Sequence, residues 1–457
     1  MTALPAGFLD ALQAAVPDAS VDSDVRTTAS RDRSGAWLEA AEVVVRATEV
    51  DAVQETLRLA HAHGVPVVPR GGGTGLAGGA TAGAGSIVLD LAALDRILLV
   101  DPDDEVAMVE PGVLTADLDR AAGEHGLRYA PDPASAAIST IGGNIATNAG
   151  GLRCVKYGVT RDAVLGLSVV LADGTLVSTG RRTVKGVAGL DLTSLFVGSE
   201  GTLGVVVGAT LRLRPRPDMT CTAAAAFPDV ETAALACVAV TAERRQPSML
   251  ELLDLATLTV VDRAQGTDFA GRGGALVVVQ TDGPGAEQEI AGIVEVLGKE
   301  ASWVEQAVDE DSAARLVAAR RLALPSIETL GRALIEDICV PRSRLAQAFG
   351  GITDIARAHG VDIYAFAHAG DGNVHPIISC PGDLHDLDAL PPEVTAAGDD
   401  LFALALRLGG TVTGEHGVGT LKRDWMAREL GPDALRVHRS IKEALDPRGI
   451  LNPGKAY

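Results

Sequence analysis

The sequence predicts an α+β protein of two or three domains, and three observations support this prediction. At 457 residues the chain is longer than a single hydrophobic core usually organises. It is 47% hydrophobic and 22% charged, as expected of an ordered globular protein. Its strand-like and helix-like segments do not alternate regularly, which disfavours a repeating βαβ architecture.

The N-terminal half opens with a strand, a helix and a second strand. AEVVVRA, from residue 41, has the apolar run of a buried strand. A helix is predicted from the start signal at Thr48 and Asp51 to Gly64, with an apolar stripe on one face. VPVVP forms the next strand. Further strands are predicted at 86–91, 97–100 and 105–110, and a helix from Thr115 to about Gly123.

The next part of the chain favours antiparallel strands. VLGLSVVLADGTLVSTG predicts a hairpin whose turn is Asp173-Gly174. A strand region follows at 203–215, and Pro215 and Pro217 indicate a boundary. From about 218 to 300, alternating segments suit an antiparallel sheet under helices, and the last sixty residues predict helices around a Gly-rich loop. The domains expected are 1–36, 37–215, 216–410 and 411–457.

Charge and cysteine content limit the class of protein. The formal net charge of −21 disfavours binding to nucleic acid or to an anionic membrane surface. Five cysteines without a CxxC pair indicate a reduced, cytoplasmic chain with neither an iron–sulfur cluster nor a cysteine zinc site. The N-terminus lacks the pattern of a signal peptide, and no window of eighteen apolar residues predicts a transmembrane segment.

The first Gly-rich segment, PRGGGTGLAGG, covers residues 69–79. Gly73, Gly75 and Gly78 fit the GxGxxG spacing of a Rossmann dinucleotide site. That site requires a helix directly afterwards, and ATAGAGS is too short and too rich in glycine to form one. We therefore reject the Rossmann interpretation. The segment can still present backbone N–H groups to an anion, with Arg70 adding charge, or it can be a flexible surface loop.

Two more segments of small residues follow, at 131–151 and 198–206. The first, PDPASAAISTIGGNIATNAGG, allows the backbone to approach a flat or phosphorylated ligand closely, and Thr140, Asn144 and Asn148 supply short polar side chains. The second is GSEGTLGVV. Each could be an ordinary loop. Three in order, each next to a strand, favour a ligand site.

Histidines and a carboxylate stand in two further glycine-framed motifs. HAGDGNVH places His368 and His375 on either side of a turn-forming centre, so the two imidazoles can converge. TVTGEHGVG contains Glu415 and His416. Two imidazoles and one carboxylate are a common ligand set for a divalent metal with open positions. Separate structural roles for these residues are the alternative.

Together these motifs resemble the vanillyl-alcohol-oxidase-type FAD family, in its D-lactate, glycolate and D-2-hydroxyglutarate dehydrogenase branch. The resemblance runs from about residue 40 to the C-terminus, through PRGGGTG, STIGGNIATNAGG, LFVGSEGTLG, HAGDGNVH, TGEHGVG and LDPRGILNPGK. It implies a two-part FAD-binding domain of the PCMH type, a cap domain with an antiparallel sheet, and a C-terminal helical segment that returns to the flavin.

The resemblance also implies which residues bind FAD. The first segment would hold the pyrophosphate, the next two would run beside the flavin and adenosine, and the closing Asn-Pro-Gly-Lys would return to the flavin. Some relatives attach FAD to a histidine of the first segment. No histidine lies between Arg70 and Gly79, so noncovalent FAD is predicted. The implied residues are Pro69, Arg70, Gly71, Gly72, Gly73, Thr74, Gly75, Pro131, Asp132, Ser135, Thr140, Gly142, Gly143, Asn144, Ala146, Asn148, Glu200, Gly204, Val205 and Asn452.

By the same resemblance His368, His375 and Glu415 bind a divalent metal, zinc by expectation, with manganese or iron also able to serve. His416 is the implied base, with a reference pKa of about 6.5 that suits proton transfer near neutrality. Arg320 is implied to grip the substrate carboxylate. Arg321 is its rival for that role, and an ordinary surface arginine is the alternative. The implied reaction oxidises a small D-2-hydroxy acid to the 2-oxo acid, with the hydride passing to flavin N5.

Two positions favour a monocarboxylate such as D-lactate over hydroxyglutarate. Hydroxyglutarate members carry a lysine where this chain has Ile335 and an asparagine where it has Ile377. Glycolate and D-2-hydroxyglutarate dehydrogenases remain alternatives, as do a flavin-free metal-dependent hydrolase, a metal-binding module, an NAD-dependent dehydrogenase and a noncatalytic binding protein. The sequence does not identify the electron acceptor. A homodimer is compatible with the sequence.

Overall fold

The computed structural model describes residues 4–36, 39–183, 185–380 and 390–457. The first residue of the predicted 37–215 domain lies outside them, and the four-part division of the chain stays a prediction. The strands are β1 (Ala19–Ser20), β2 (Val43–Arg46), β3 (Val67–Arg70), β4 (Ile87–Asp90), β5 (Ile97–Asp101), β6 (Val106–Val109), β7 (Leu127–Arg128), β8 (Val164–Val170), β9 (Leu176–Gly180), β10 (Val205–Arg212), β11 (Arg214–Pro215), β12 (Thr220–Phe227), β13 (Met249–Asp254), β14 (Ala275–Asp282), β15 (Trp303–Gln306), β16 (Arg332–Ile335), β17 (Ile338–Cys339), β18 (Asp362–His368) and β19 (Asn373–Cys380).

Helices and sheets together confirm the α+β class. The helices are α1 (Phe8–Ala15), α2 (Ser23–Ala29), α3 (Val50–His63), α4 (Thr115–Gly123), α5 (Ile141–Thr147), α6 (Cys154–Tyr157), α7 (Thr160–Ala163), α8 (Leu192–Phe196), α9 (Val230–Ala242), α10 (Leu255–Gln265), α11 (Ala286–Leu297), α12 (Glu310–Arg321), α13 (Ala323–Glu328), α14 (Leu345–His359), α15 (Pro392–Arg407) and α16 (Met426–Leu445). They form two compact units. Unit 1 comprises 1–150, 159–216 and 415–457, and unit 2 comprises 151–158 and 217–414.

Unit 1 contains a four-stranded sheet in the order β1-β2-β4-β3, in which β4 pairs in parallel with β2 and β3. Helix α3 buries its predicted stripe, including Val53, Leu57 and Ala60, in a core shared with these strands. It ends where Gly64 adopts a left-handed conformation with φ 70°, which glycine takes without steric cost. The predicted strand, helix and strand are confirmed, but the start signal at Thr48 was wrong, because the helix is capped at Glu49 without a side-chain hydrogen bond.

A second sheet of unit 1 is antiparallel, in the order β5-β6-β10-β8-β9. The predicted hairpin is confirmed, because β8 and β9 pair in register from Gly166↔Gly180 to Val170↔Leu176. Gly174 in its turn has φ 86°, a conformation that favours glycine. After β3 no helix follows the GxGxxG spacing, so the rejection of the Rossmann interpretation is also confirmed for residues 71–86.

The second Gly-rich segment contains an element that the sequence analysis did not predict. Residues 141–147 form the short helix α5, and the Thr140 hydroxyl caps it by accepting a hydrogen bond from the Gly143 amide at 3.2 Å. The Gly-Gly pair disguised this helix, because glycine lowers helix propensity. The helix fixes the backbone of this segment.

Unit 2 is built on an antiparallel sheet in the order β15-β12-β14-β13-β18-β19-β16, and β17 also pairs with β19. Its central strands are buried on both faces: every residue of β14 is buried, and β13 is buried except for Asp254. The predicted antiparallel sheet with helices is therefore confirmed. Among the described residues, none of the helices is both long enough and apolar enough to cross a bilayer.

Candidate functional site

The first two Gly-rich segments pack directly against each other in unit 1. A Cβ atom on Gly71 would collide with Oγ1 of Thr140, and one on Gly72 would collide with the carbonyl oxygen of Ile138. Any side chain at these positions would push the segments apart. The sequence is rich in glycine here because two backbones approach closely, which is also what a phosphate-binding loop requires.

A cleft of about 750 Å³ opens in unit 1 beside this contact. Gly72, Ile138 and Thr140 line it, together with Gly112 and Leu114. Its volume falls in the range of about 300–1,000 Å³ that small-molecule and cofactor sites occupy. The charged side chains in its lining are mostly acidic, which disfavours a phosphorylated ligand in this cleft; they are Asp95, Asp117, Arg120 and Glu124.

Three of the polar side chains implied to face FAD hydrogen-bond within the protein. Thr140 caps α5, and the amide nitrogen of Asn144 donates to Thr115 Oγ1 at 2.6 Å. Asn148 has a left-handed φ of 56° and accepts from the Arg161 amide at 2.8 Å. These bonds hold the shape of the segment. Their role toward FAD stays a prediction.

Arg70, at the end of β3, turns toward its own loop. Its Nη1 donates to the carbonyl oxygen of Arg31, and its guanidinium lies where a side chain on Gly73 would be. Burial is the largest influence on this group and lowers the pKa of Arg70. The positive charge therefore stands at the edge of the first Gly-rich segment, as predicted.

Glu200 connects the third Gly-rich segment to the loop that carries His416. Its buried carboxylate accepts hydrogen bonds from the Val418 amide at 2.8 Å and from the Gly419 amide at 2.7 Å. Burial raises the pKa of Glu200, and the two amide donors oppose that shift. Its own amide donates to Ala146 in α5 at 2.8 Å. This residue therefore links the second and third segments to the C-terminal motif.

Asn452 joins the same cluster from the closing segment of the chain. Its side-chain nitrogen donates to the carbonyl oxygens of Gly79, at 2.9 Å, and Glu200, at 2.7 Å. Nearby, Lys455 donates to the carbonyl oxygen of Thr81 at 2.8 Å, and burial lowers its pKa to about 8. The three Gly-rich segments and the two C-terminal motifs therefore form one hydrogen-bonded cluster in unit 1.

Glu415 and His416 both belong to this unit. His416 is partly buried, and its Nε2 lies 3.9 Å from Oε1 of Glu415. The Glu415 carboxylate rests against Gly150, where a Cβ atom would collide with Oε2. The loop itself is fixed because the Thr420 and Leu421 amides donate to the Ala77 carbonyl oxygen at 3.0 and 3.2 Å. The predicted base thus stands on a rigid loop anchored to the first Gly-rich segment.

In unit 2 a group of polar residues shares one face of the central sheet. Glu251 of β13 stands directly opposite His368 of β18, and Phe366 stands opposite His375 of β19. Because side chains alternate between faces along a strand, these four side chains point the same way. The imidazoles of His368 and His375 are in edge contact, with ring centroids 5.1 Å apart. The structure therefore brings the two predicted metal-ligating histidines together.

Each of these histidines has a carboxylate nearby. Nδ1 of His368 lies 2.8 Å from Oε1 and 3.0 Å from Oε2 of Glu251. Nδ1 of His375 is 3.8 Å from Oδ1 of Asp337, which is beyond hydrogen-bond distance. An ionised carboxylate only accepts, so Nδ1 of His368 donates to Glu251, and in the neutral ring Nε2 carries the lone pair that a metal requires. The paired imidazoles of His368 and His375 therefore fit a divalent cation.

Asp337 is fixed by three donors from its own unit. It accepts from the Asn373 side-chain nitrogen at 2.7 Å, from the Thr413 hydroxyl at 2.9 Å and from the Gly414 amide at 2.9 Å. The start of β19 and the start of the TGEHGVG motif are thereby held to one buried carboxylate. A Cβ atom on Gly414 would collide with the Asn373 side chain, which explains the glycine.

Arg320 reaches the same group from the last turn of α12. Its Nε donates to Oε2 of Glu251 at 2.6 Å, and its guanidinium carbon lies 4.1 Å from the centre of the Phe366 ring. Arg320 is only 8% exposed, whereas its rival Arg321 is exposed. Arg320 is therefore a buried arginine that shares the Glu251 carboxylate with His368, and it is not an ordinary surface arginine.

The two positions that favoured a monocarboxylate are also neighbours. Ile335 of β16 and Ile377 of β19 are directly opposite each other. Ile377 is two residues beyond His375, so both isoleucines lie on the same face of the sheet as the histidines. Ile377 is completely buried in the core cluster that includes Phe366, and Ile335 packs against this cluster.

Glu251, which binds both Arg320 and His368, was not predicted from the sequence. One signal could have revealed it. MLELLD places a charged residue in the middle of an otherwise apolar strand, and a buried carboxylate persists in a core only with partners.

Both halves of the chain match known protein families. Residues 41–180 match the family described as FAD binding domain, and residues 216–456 match the one described as FAD linked oxidases, C-terminal domain. The chain is 40% identical over 451 residues to the glycolate oxidase subunit GlcD of Bacillus subtilis, across 98% of this chain and 95% of that protein. It is 37% identical over 419 residues to a D-lactate dehydrogenase of Archaeoglobus fulgidus, across 90% of each.

Solved structures agree on the fold. A p-cresol methylhydroxylase with substrate bound superposes with a TM-score of 0.80 at 19% identity, across 99% of this chain and 97% of that one. This likeness confirms the predicted PCMH-type fold, and the family match over residues 41–180 confirms the implied FAD-binding domain. By its sequence matches, the chain belongs to the FAD-linked oxidases, in the group that contains the glycolate oxidase subunit GlcD and D-lactate dehydrogenase.

Proposed function

We propose that this FAD-dependent oxidoreductase oxidises a small D-2-hydroxy monocarboxylate, such as D-lactate, to the 2-oxo acid. The observation that supports it most is the shared sheet face of unit 2, where Arg320, His368 and His375 lie together beside Glu251. A guanidinium for the substrate carboxylate and two imidazoles for a cation are the groups that a 2-hydroxy acid requires.

Each side chain has a role in this proposal. Arg320 pairs with the substrate carboxylate, and His416 accepts the hydroxyl proton. When bound, FAD supplies the hydride acceptor at N5, and residues of the three Gly-rich segments with Asn452 would hold it. His368, His375 and Glu415 would hold a divalent metal, zinc by expectation, which supplies Lewis acidity toward the hydroxyl.

The apolar pair Ile335 and Ile377 supports a substrate with one carboxylate. A second carboxylate on that face would lose its hydration without gaining a hydrogen-bond partner from either side chain. Glycolate is a second candidate substrate, because the relative at 40% identity bears the name of a glycolate oxidase subunit. Glycolate and D-lactate differ by one methyl group, and an apolar pocket discriminates such a difference by only about 10–200-fold.

Anaerobic flavin bleaching with a panel of acids tests this proposal. D-lactate is expected to bleach the flavin faster than L-lactate, and at least about 100-fold more efficiently than D-2-hydroxyglutarate. Chelation should slow the bleaching, and added Zn²⁺ or Mn²⁺ should restore it. Bleaching by D-2-hydroxyglutarate at the D-lactate rate would contradict the substrate class. A colourless protein without flavin would instead support a metal-dependent hydrolase.

A second prediction concerns how FAD is held. Acid precipitation is expected to release all flavin into the supernatant, because no histidine is present in the first Gly-rich segment to form a covalent link. Gly72→Val should abolish flavin retention, since a side chain there collides with the Ile138 carbonyl oxygen and displaces the loop. Gly285→Ala is the matched control, because a Cβ atom at Gly285 meets nothing within 4 Å. Flavin absorbance per protein measures both; coloured precipitate would contradict noncovalent binding.

A further inference from the structure

Glu251 occupies an unusual position for a charged residue. It lies in β13, a central strand of the unit 2 sheet, and its side chain is completely buried. A carboxylate removed from water is costly unless other groups satisfy it. Glu251 receives two donors, one from a predicted metal ligand and one from the predicted substrate-binding arginine.

The two donors come from different elements and carry different chemistry. His368 belongs to β18 and reaches Glu251 through Nδ1, at 2.8 and 3.0 Å to the two carboxylate oxygens. Arg320 belongs to α12 and reaches Oε2 through Nε at 2.6 Å. Glu251 meets His368 because the register of β13 and β18 places the two residues opposite each other. The Phe366 ring packs against the Arg320 guanidinium and restricts where that side chain can lie.

We propose that Glu251 is the positioning residue that orients His368 for the metal and Arg320 for the substrate carboxylate. The inference rests on the proposed function and names a residue that the proposed mechanism does not use. A carboxylate on one ring nitrogen of a ligating histidine fixes the tautomer and makes the other nitrogen a better ligand. Holding the arginine by Nε directs its two terminal nitrogens, which hydrogen-bond to no described residue, toward a bidentate partner.

The test uses the full-length, flavin-loaded protein, stripped of metal by a chelator and titrated with Mn²⁺ under electron paramagnetic resonance. Glu251→Gln is expected to weaken Mn²⁺ binding about 10–100-fold, the usual effect of losing a carboxylate partner of a ligating histidine. The KM for D-lactate, measured at saturating Mn²⁺, should still be raised several-fold. Because the metal site is filled under these conditions, the remaining rise in KM reflects the changed position of Arg320.

Arg320→Gln separates positioning from general damage. This change removes a positive charge near the cation and leaves the Glu251–His368 bond, so Mn²⁺ affinity should not fall while the KM for D-lactate rises. Loss of Mn²⁺ affinity in both variants to the same extent would overturn the proposal, because disrupted packing would then explain both. Asp254→Asn is the matched control: Asp254 is in the same strand, and its carboxylate accepts from the Thr257 and Ala365 amides. It should keep wild-type Mn²⁺ affinity.

The outcomes distinguish this inference from the proposed function. Wild-type protein that binds Mn²⁺ and is bleached by D-lactate, with Glu251→Gln unchanged in both affinities, would overturn the role of Glu251 alone. Wild-type protein that binds no Mn²⁺ would overturn both proposals. If Glu251→Gln precipitates, Glu251→Asp replaces it under the same criterion, because the shorter side chain keeps the charge but withdraws it from His368 and Arg320.

Discussion

Replacing His416 by alanine is expected to leave a yellow protein that D-lactate no longer reduces at a useful rate. The flavin should remain, because the Val418, Gly419, Thr420 and Leu421 amides hold this loop by hydrogen bonds that the substitution leaves in place. Loss of a general base costs about 10²–10⁴-fold in rate. Stopped-flow measurement of flavin reduction at saturating D-lactate gives the rate directly.

Two further measurements identify the missing function as proton transfer. In His416→Ala the residual rate should rise with pH, because the hydroxyl proton must then leave to solvent, and added imidazole should restore part of the rate. His63→Ala is the matched control, since His63 is an exposed histidine of the same unit. Reduction of His416→Ala at the wild-type rate would rule out this residue as the base.

Local signals in the sequence sufficed for much of unit 1. The buried stripe of α3 and its end at Gly64 depend on residues within one helix, and the β8–β9 hairpin depends on the Asp173-Gly174 turn. Rejection of a Rossmann site needed only the absence of helix-forming residues after Gly78. In each case the interaction that decides the structure lies within a few residues of the signal.

Contacts between distant strands could not be predicted in the same way. Glu251 and His368 are 117 residues apart, and only the pairing of β13 with β18 makes them neighbours. Glu200 and the amides of the His416 loop are more than 200 residues apart. The motifs predicted the candidate histidines, but Glu251, which binds one of them, lies in no motif. Helix α5 was missed for the opposite reason, since its glycines resemble a loop although Thr140 caps it.

His375→Ala is expected to remove the metal and weaken substrate binding together, while FAD stays bound. His375 is 3% exposed and contacts the rings of His368 and Phe366, so its loss deletes one of two imidazoles on the sheet face. Removing a residue that only hydrogen-bonds to a metal ligand lowers metal affinity about 10–100-fold. Removing a ligand itself should therefore lower the affinity by more than that. Metal content by mass spectrometry and the KM for D-lactate at fixed metal concentration measure the two effects.

The reason to expect selective loss is the placement of the residue. His375 belongs to unit 2, whereas the hydrogen-bonded cluster of Gly-rich segments implied to hold FAD belongs to unit 1. His359→Ala is the matched control, because His359 is also in unit 2 and pairs with the exposed Asp400 at 2.8 Å. A contact with an exposed carboxylate contributes at most about 1 kcal/mol to stability, so this variant should stay folded and keep its metal. Unchanged metal content in His375→Ala and in the size-matched His375→Gln would show that this imidazole is not a ligand, and the cation would then need another donor set.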